Sequence, residues 1–125
     1  MVTRHPMPPE LVEMIARRFK VLSEPMRVQI LDALCEDERS VGELVALLGT
    51  TQQNVSKHLA TLRVEGVVTR RKDGNRALYR IADEGVLELC EHVCGGIERR
   101  LEQTGRLLDG ADLRLRPALD ARAGG

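Results

Sequence analysis

A mainly α-helical domain carrying one β-hairpin, in the order α-α-α-α-β-β-α, is the architecture that this 125-residue chain encodes. Three observations lead there. Apolar residues recur at three and four in several separate stretches, most regularly at Val55, Leu59 and Leu62, which is the spacing of one helix face. Breaks at Ser23-Glu24-Pro25, Gly49 and Gly66 cut those stretches into short lengths. Residues 67–72 and 76–81 alternate like two strands around Asp73-Gly74-Asn75, where Asp-Gly and Gly-Asn are strong tight-turn signals.

Taken in order, residues 1–9 hold Pro6, Pro8 and Pro9 and read as a flexible N-terminal arm. Residues 10–21 form the first helix, with Leu11, Ile15, Phe19 and Leu22 on one side. Ser23 can cap the second helix, with Pro25 in its first turn, and that helix buries Ile30, Leu31 and Leu34 before a polar loop at residues 36–39. Ser40 and Glu43 have capping-box spacing and open a short third helix with the stripe Val41, Leu44, Val45 and Leu48. Gly49 ends it, and the Thr50–Gln53 spacing caps the fourth helix in the same way. Asp83 can cap a last helix reaching about Leu108, and residues 109–125 read as a flexible C-terminal tail. The helical domain thus spans residues 10–108.

Bulk composition excludes more than it assigns. Nineteen basic and nineteen acidic residues cancel. Between Thr51 and Ile81, however, seven basic residues face two acids, a local excess of five that suits a polyanion. Phe19 and Tyr79 are the only aromatics, too few for the stacking platforms of single-strand binding. No apolar run approaches membrane-spanning length, and no signal-peptide pattern opens the chain. An odd count of three cysteines implies no disulfide framework and suits a reducing cytoplasm. His5, His58 and His92 lie on three unrelated segments, with no phosphate-binding Gly loop and no nucleophile–base pairing. The residues point away from an enzyme.

Two short helices joined by a Gly-containing turn form a helix-turn-helix whose second helix is the reader. Opposite its apolar stripe lie Gln52, Gln53, Ser56, Lys57 and Thr61, with Thr51 ahead of them and no acid among them. Amides and hydroxyls of this kind suit base edges in a major groove, and Lys57 suits a phosphate. The hairpin that follows reads as a wing, with Arg71, Lys72, Asn75 and Arg76 at the phosphate backbone. On the last helix Leu87, Cys90, Cys94, Ile97, Leu101, Thr104 and Leu108 alternate at three and four, a heptad seam that a second copy of the chain would cover. Gly95-Gly96 interrupts that helix at roughly 1 kcal/mol per Gly, which a close helix approach or a bend would explain.

With these elements in hand, the chain resembles the ArsR/SmtB family of bacterial winged helix-turn-helix repressors. The likeness is carried by residues 19–27 (Phe-Lys-Val-Leu-Ser-Glu-Pro-Met-Arg), by Ser40-Val41-Gly42-Glu43-Leu44 and by Asn54-Val55-Ser56-Lys57-His58-Leu59, with residues 65–81 matching the wing. It implies a homodimer on a palindromic double-stranded operator that leaves when an effector binds. The expected two-fold interface joins Leu11 and Ile15 of the first helix to Leu87, Cys90, Cys94, Ile97 and Leu101 of the last. Metal-sensing members often carry Cys-x-Cys where this chain has Ser40 and Gly42. Others carry ligands at positions that correspond here to Asp83, Gly85, Gly96 and Arg99, of which only the Asp is kept. Neither site carries over.

What remains for an effector is Cys90 and Cys94 with Cys35 or a ligand from the other subunit, a set suited to a soft metal or metalloid ion or a thiol-reactive signal. Cys90 and Cys94 are one helical turn apart, their Cβ atoms about 5–6 Å from one another, beyond the roughly 3.5–4.5 Å of a disulfide. Inert packing of small apolar side chains is the competing reading, and with it a DNA-binding dimer that has no small effector and is controlled by abundance or a protein partner.

Overall fold

Pro9 opens α1 (Pro9–Leu22) at the first helical position, where its missing N–H costs nothing. The computed structural model describes residues 5–104. Expectations for residues 1–4 and 105–125, including the end of the last helix near Leu108 and the C-terminal tail, lie outside them. The other elements are α2 (Pro25–Glu36), β1 (Arg39–Ser40), α3 (Val41–Leu48), α4 (Gln52–Val64), β2 (Val68–Asp73), β3 (Arg76–Ile81) and α5 (Glu84–Thr104). The chain divides after Asp83 into a winged unit and a unit that holds α5.

In the winged unit, Ile30, Leu31 and Leu34 of α2 meet Leu44 of α3 and Val55, Leu59 and Leu62 of α4 in a core closed by Val67, Val68, Leu78 and Tyr79 of the hairpin. All seven helical positions were spaced at three and four in the sequence, and burial of each aliphatic side chain contributes about 1.5–3 kcal/mol. β2 and β3 pair antiparallel from Val68↔Ile81 to Asp73↔Arg76, leaving Gly74 and Asn75 as a two-residue turn. Gly74 carries φ 64° and Asn75 does not share the positive φ, the pattern of a type II′ hairpin with Gly at its first central position.

Three local expectations change. The polar loop before Ser40 ends in a strand: Arg39 and Ser40 pair with Tyr79 and Leu78, so the sheet has three strands in the order β1-β3-β2. The extended backbone that Ser40 needs as a cap (φ −83°, ψ 166°) is strand geometry, so one segment serves both purposes. Ser23 does not cap α2. It ends α1, donating Oγ–H to Lys20 O at 2.8 Å, while Glu24 Oε2 accepts from Arg27 N at 3.1 Å. Phe19 is 54% exposed. Val21 is the buried residue of α1, with Leu11, Ile15, Arg18 and Leu22 half-buried; Arg18 takes the place expected of Phe19 because it is drawn in by Asp83 Oδ2 at 2.6 Å and by the Glu65 carbonyl at 3.2 Å.

α5 runs unbroken through Gly95-Gly96. A Cβ at Gly95 would stand 3.4 Å from Arg99 Nη1, so the guanidinium lies over the bare backbone. Val93 and Ile97 are exposed, Leu87, Cys90, Cys94 and Leu101 half-buried, and His92 is solvent-facing.

Candidate nucleic-acid interface

The turn between α3 and α4 sets the aim of the reader helix. Gly49 closes α3 in the left-handed region (φ 64°, ψ 35°), its N–H donating to Val45 O at 3.0 Å. The α4 cap sits one residue later than the Thr50–Gln53 spacing predicts. Thr51 Oγ1 accepts from Asn54 N at 3.1 Å, and Thr50 Oγ1 accepts from Asn54 Nδ2 at 3.1 Å. That displacement matters, because it leaves the Gln53 amide exposed on the helix surface instead of spending it on a cap. At the other end Gly66 (φ 77°) turns the chain and Val67 N donates to Leu62 O at 2.9 Å, a Schellman closure.

Between these fixed ends the outward face carries Gln52, Gln53, Ser56 and Lys57, all exposed. Thr61 is half-buried and its hydroxyl donates to Lys57 O at 3.3 Å, so only its acceptor capacity is left for a ligand. Thr51 accepts as the cap and keeps its own O–H hydrogen for a phosphate. Ala60 and Arg63 are also exposed and are absent from the expected contact set. Ala60 lies four residues beyond Ser56 on the same face, and a methyl there suits a thymine methyl.

In the wing, Lys72, Asn75 and Arg76 are exposed at the tip. The cations are not equally available. Arg71 forks on Glu38, with Nε to Oε2 at 3.0 Å, and that hydrogen bond holds the Glu38 carboxyl below its usual range. Arg76 stands 3.7 Å from Glu43 Oε1 and 3.9 Å from Asp73 Oδ2. Glu43 also completes the capping box of α3 by accepting from Ser40 N at 2.8 Å, and hydrogen bonds from Ser40, the backbone N–H foremost, lower its pKa. Among the described residues Lys72 makes no ion pair. Glu38 and Glu43 are the groups that composition alone does not reveal: they lie 33 residues before the cations they meet.

Among the described residues His58 is the one buried polar side chain, 6% exposed. Arg27 Nη1 lies 3.3 Å from its Nδ1, and a guanidinium only donates, so Nδ1 accepts and the neutral ring carries its proton on Nε2. Nε2 faces Glu24 Oε2 at 3.6 Å. Desolvation pushes the His58 pKa down and outweighs the raising pull of Glu24. His58 thus packs and hydrogen-bonds inside the winged unit.

The three cysteines are all half-buried and none is in a disulfide. On α5, Cys94 Sγ donates to Glu98 Oε1 at 3.3 Å, adding a carboxylate one turn beyond the Cys90–Cys94 pair. Within one chain, no three His, Cys, Asp or Glu side chains among the described residues gather as a metal site.

A helix-turn-helix with a capped, acid-free reader face and a three-stranded wing defines a winged DNA-binding domain. The sequence pattern described as "Bacterial regulatory protein, arsR family" matches residues 24–70. The transcriptional regulator KmtR of Mycobacterium tuberculosis is 36% identical over 82% of this chain and 84% of its own length. The crystal structure of M. tuberculosis Rv0081 superposes with a TM-score of 0.69 at 39% identity, over 78% of this chain and 97% of that one. The solution structure of Mb0332 from Mycobacterium bovis, described as a homodimeric winged helix-turn-helix DNA-binding domain, gives 0.71 at 33% identity, over 82% and 95%. The chain belongs to the ArsR family of bacterial regulatory proteins: it is a DNA-binding transcription regulator and not an enzyme. No helix among the described residues is long and apolar enough to cross a membrane.

The buried His58 makes stability pH-dependent. Its folded pKa lies below the unfolded value of about 6.5, so the unfolded chain binds the extra proton and stability falls as pH drops through that value. Denaturant titrations between about pH 5 and 7 should show stability rising with pH in the parent and a flatter profile in His58→Gln. Equal slopes in the two proteins would contradict the assignment.

Proposed function

We propose that the protein is a homodimeric repressor of a palindromic duplex site, with α4 reading base edges and the wing lying on the phosphate backbone. The α4 face carries this reading: four polar side chains, Gln52, Gln53, Ser56 and Lys57, exposed without an acid on a helix fixed by caps at both ends. Thr51, Lys72 and Asn75 supply phosphate contacts at no cost in ion pairs. Arg71 and Arg76 join them only by exchanging Glu38, Glu43 and Asp73 for phosphate, which tunes affinity downward. For assembly, Ile97 and Val93 are 52% and 53% exposed on α5, and a two-fold copy would cover them together with Leu87, Cys90, Cys94 and Leu101, with Leu11 and Ile15 of α1 alongside. The M. bovis relative described as homodimeric supports assembly as a dimer.

A soft-ion or thiol-reactive signal at Cys90 and Cys94, half-buried one turn apart on α5, is the effector reading, since thiolates are the ligands that soft ions select. A complete site then draws on Cys35 or on the second subunit. Without it the protein is a dimer controlled by abundance or by a protein partner.

Three measurements test these assignments. On a duplex selected from random sequence, Gln53→Ala should lose about 1–3 kcal/mol of discrimination at particular base pairs, whereas Lys57→Ala should weaken all sequences alike and lower the salt slope by about 0.9. Parent-like behaviour of both variants would remove α4 as the reader. Ile97→Asp buries an unpaired charge in the proposed interface, at several kcal/mol, so light scattering should report monomer; a fully dimeric variant refutes the seam. Mercury or arsenite titrated onto the protein–duplex complex should release the parent but not the Cys90→Ser/Cys94→Ser protein, and release of both places the sensor elsewhere.

A further inference from the structure

A groove of about 560 Å³ runs between α1 and the start of α2 and takes no part in the DNA surface. Glu13, Ala16, Arg17 and Lys20 of α1 form its wall, Val21 lies beneath and Arg27 closes one side. We propose that this groove binds a small organic monocarboxylate and that its occupancy is transmitted to α4.

Charge and shape choose the ligand. Three cations stand against Glu13 of the lining and Glu65, the partner of Arg17, so the groove keeps a net positive charge and favours an anion. Lys20 is exposed and makes no ion pair among the described residues. Arg17 gives Nε and Nη2 to Glu65, at 3.1 and 2.7 Å, which leaves Nη1; Arg27 gives Nε to Val21 O at 2.6 Å and sets Nη1 against His58, which leaves Nη2. Guanidinium and ammonium donors converging from two helices match a carboxylate. Ala16 and Val21 offer apolar surface for a short hydrocarbon body, and Glu13 disfavours a polyanion. The volume lies within the roughly 300–1,000 Å³ usual for small-ligand sites.

The same two arginines hold the reader helix. Arg17 grips Glu65, the C-cap of α4, and Arg27 donates to His58 in the middle of α4. A carboxylate that draws on either guanidinium competes with Glu65 or with His58 and loosens α4 from α1 and α2. The groove is thereby coupled to the DNA surface without touching it. The coupling half rests on α4 being the reader; the binding half does not.

The test uses the full chain and ¹H–¹⁵N spectra, with octanoate as ligand probe, octanamide as its uncharged counterpart and inorganic phosphate as an anion with no tail. Octanoate should shift the amides of Ala16, Lys20 and Val21 saturably, and octanamide and phosphate should not. Lys20→Glu should abolish the shift while keeping the parent's affinity for the selected duplex, and saturating octanoate should weaken the parent's duplex binding about fivefold or more. Absence of a saturable shift, or an equal shift with octanamide, overturns the site. A saturable shift with unchanged duplex affinity overturns the coupling. Should the parent fail to bind any duplex, the reader assignment falls, while the spectra still decide the groove.

Discussion

Burial of the Val55–Leu59–Leu62 row against α2 and α3 decides which side of α4 meets solvent, and from that choice the proposed DNA surface follows. A helix has one rotation that buries all three aliphatic side chains, and in that rotation Gln53, Ser56, Lys57 and Ala60 face outward. The capping hydrogen bonds at Thr51 and the closure at Gly66 then fix where the helix starts and stops. His58 belongs to the same inward side. Its imidazole is kept neutral by desolvation and held by Arg27, so a polar residue next to the exposed Lys57 works as part of the scaffold.

The apolar periodicity of α2, α3 and α4 was legible because each helix buries its stripe within one contiguous core. The hairpin was equally legible, since a two-residue turn needs a positive φ and Gly74 supplies it. Choices between neighbours were not. Ser23 against Glu24 and Thr50 against Thr51 are pairs of adjacent side-chain oxygens, and which one caps depends on how the chain enters the helix. Arg18 in place of Phe19 on the inward row of α1 depends on Asp83, 65 residues away. β1 exists only because the edge of β3 is there to pair with. For Arg18 and β1 the deciding partner is distant in sequence, where local spacing carries no information.

Electrostatics show the same division. The local excess of positive charge between Thr51 and Ile81 is real in the sequence, but Glu38 and Glu43 come from outside that window and stand against Arg71 and Arg76. The wing is therefore anchored to the segment around α3 by the cations that composition assigns to phosphate. Exposed pairs of this kind are individually weak, so each exchange of carboxylate for phosphate lowers affinity only by a small step. Lys72 has no such exchange to make.

How much of α4 enters the major groove is tested most directly by dimethyl sulfate protection of guanine N7 on the selected duplex, because N7 is reached only from that groove. The structure predicts protected guanines in two half-sites about 34–36 Å apart, centre to centre, or a multiple of that spacing, with the protection at specific guanines lost in Gln53→Ala. Unchanged N7 reactivity throughout a bound duplex would contradict the placement of α4 as the reader.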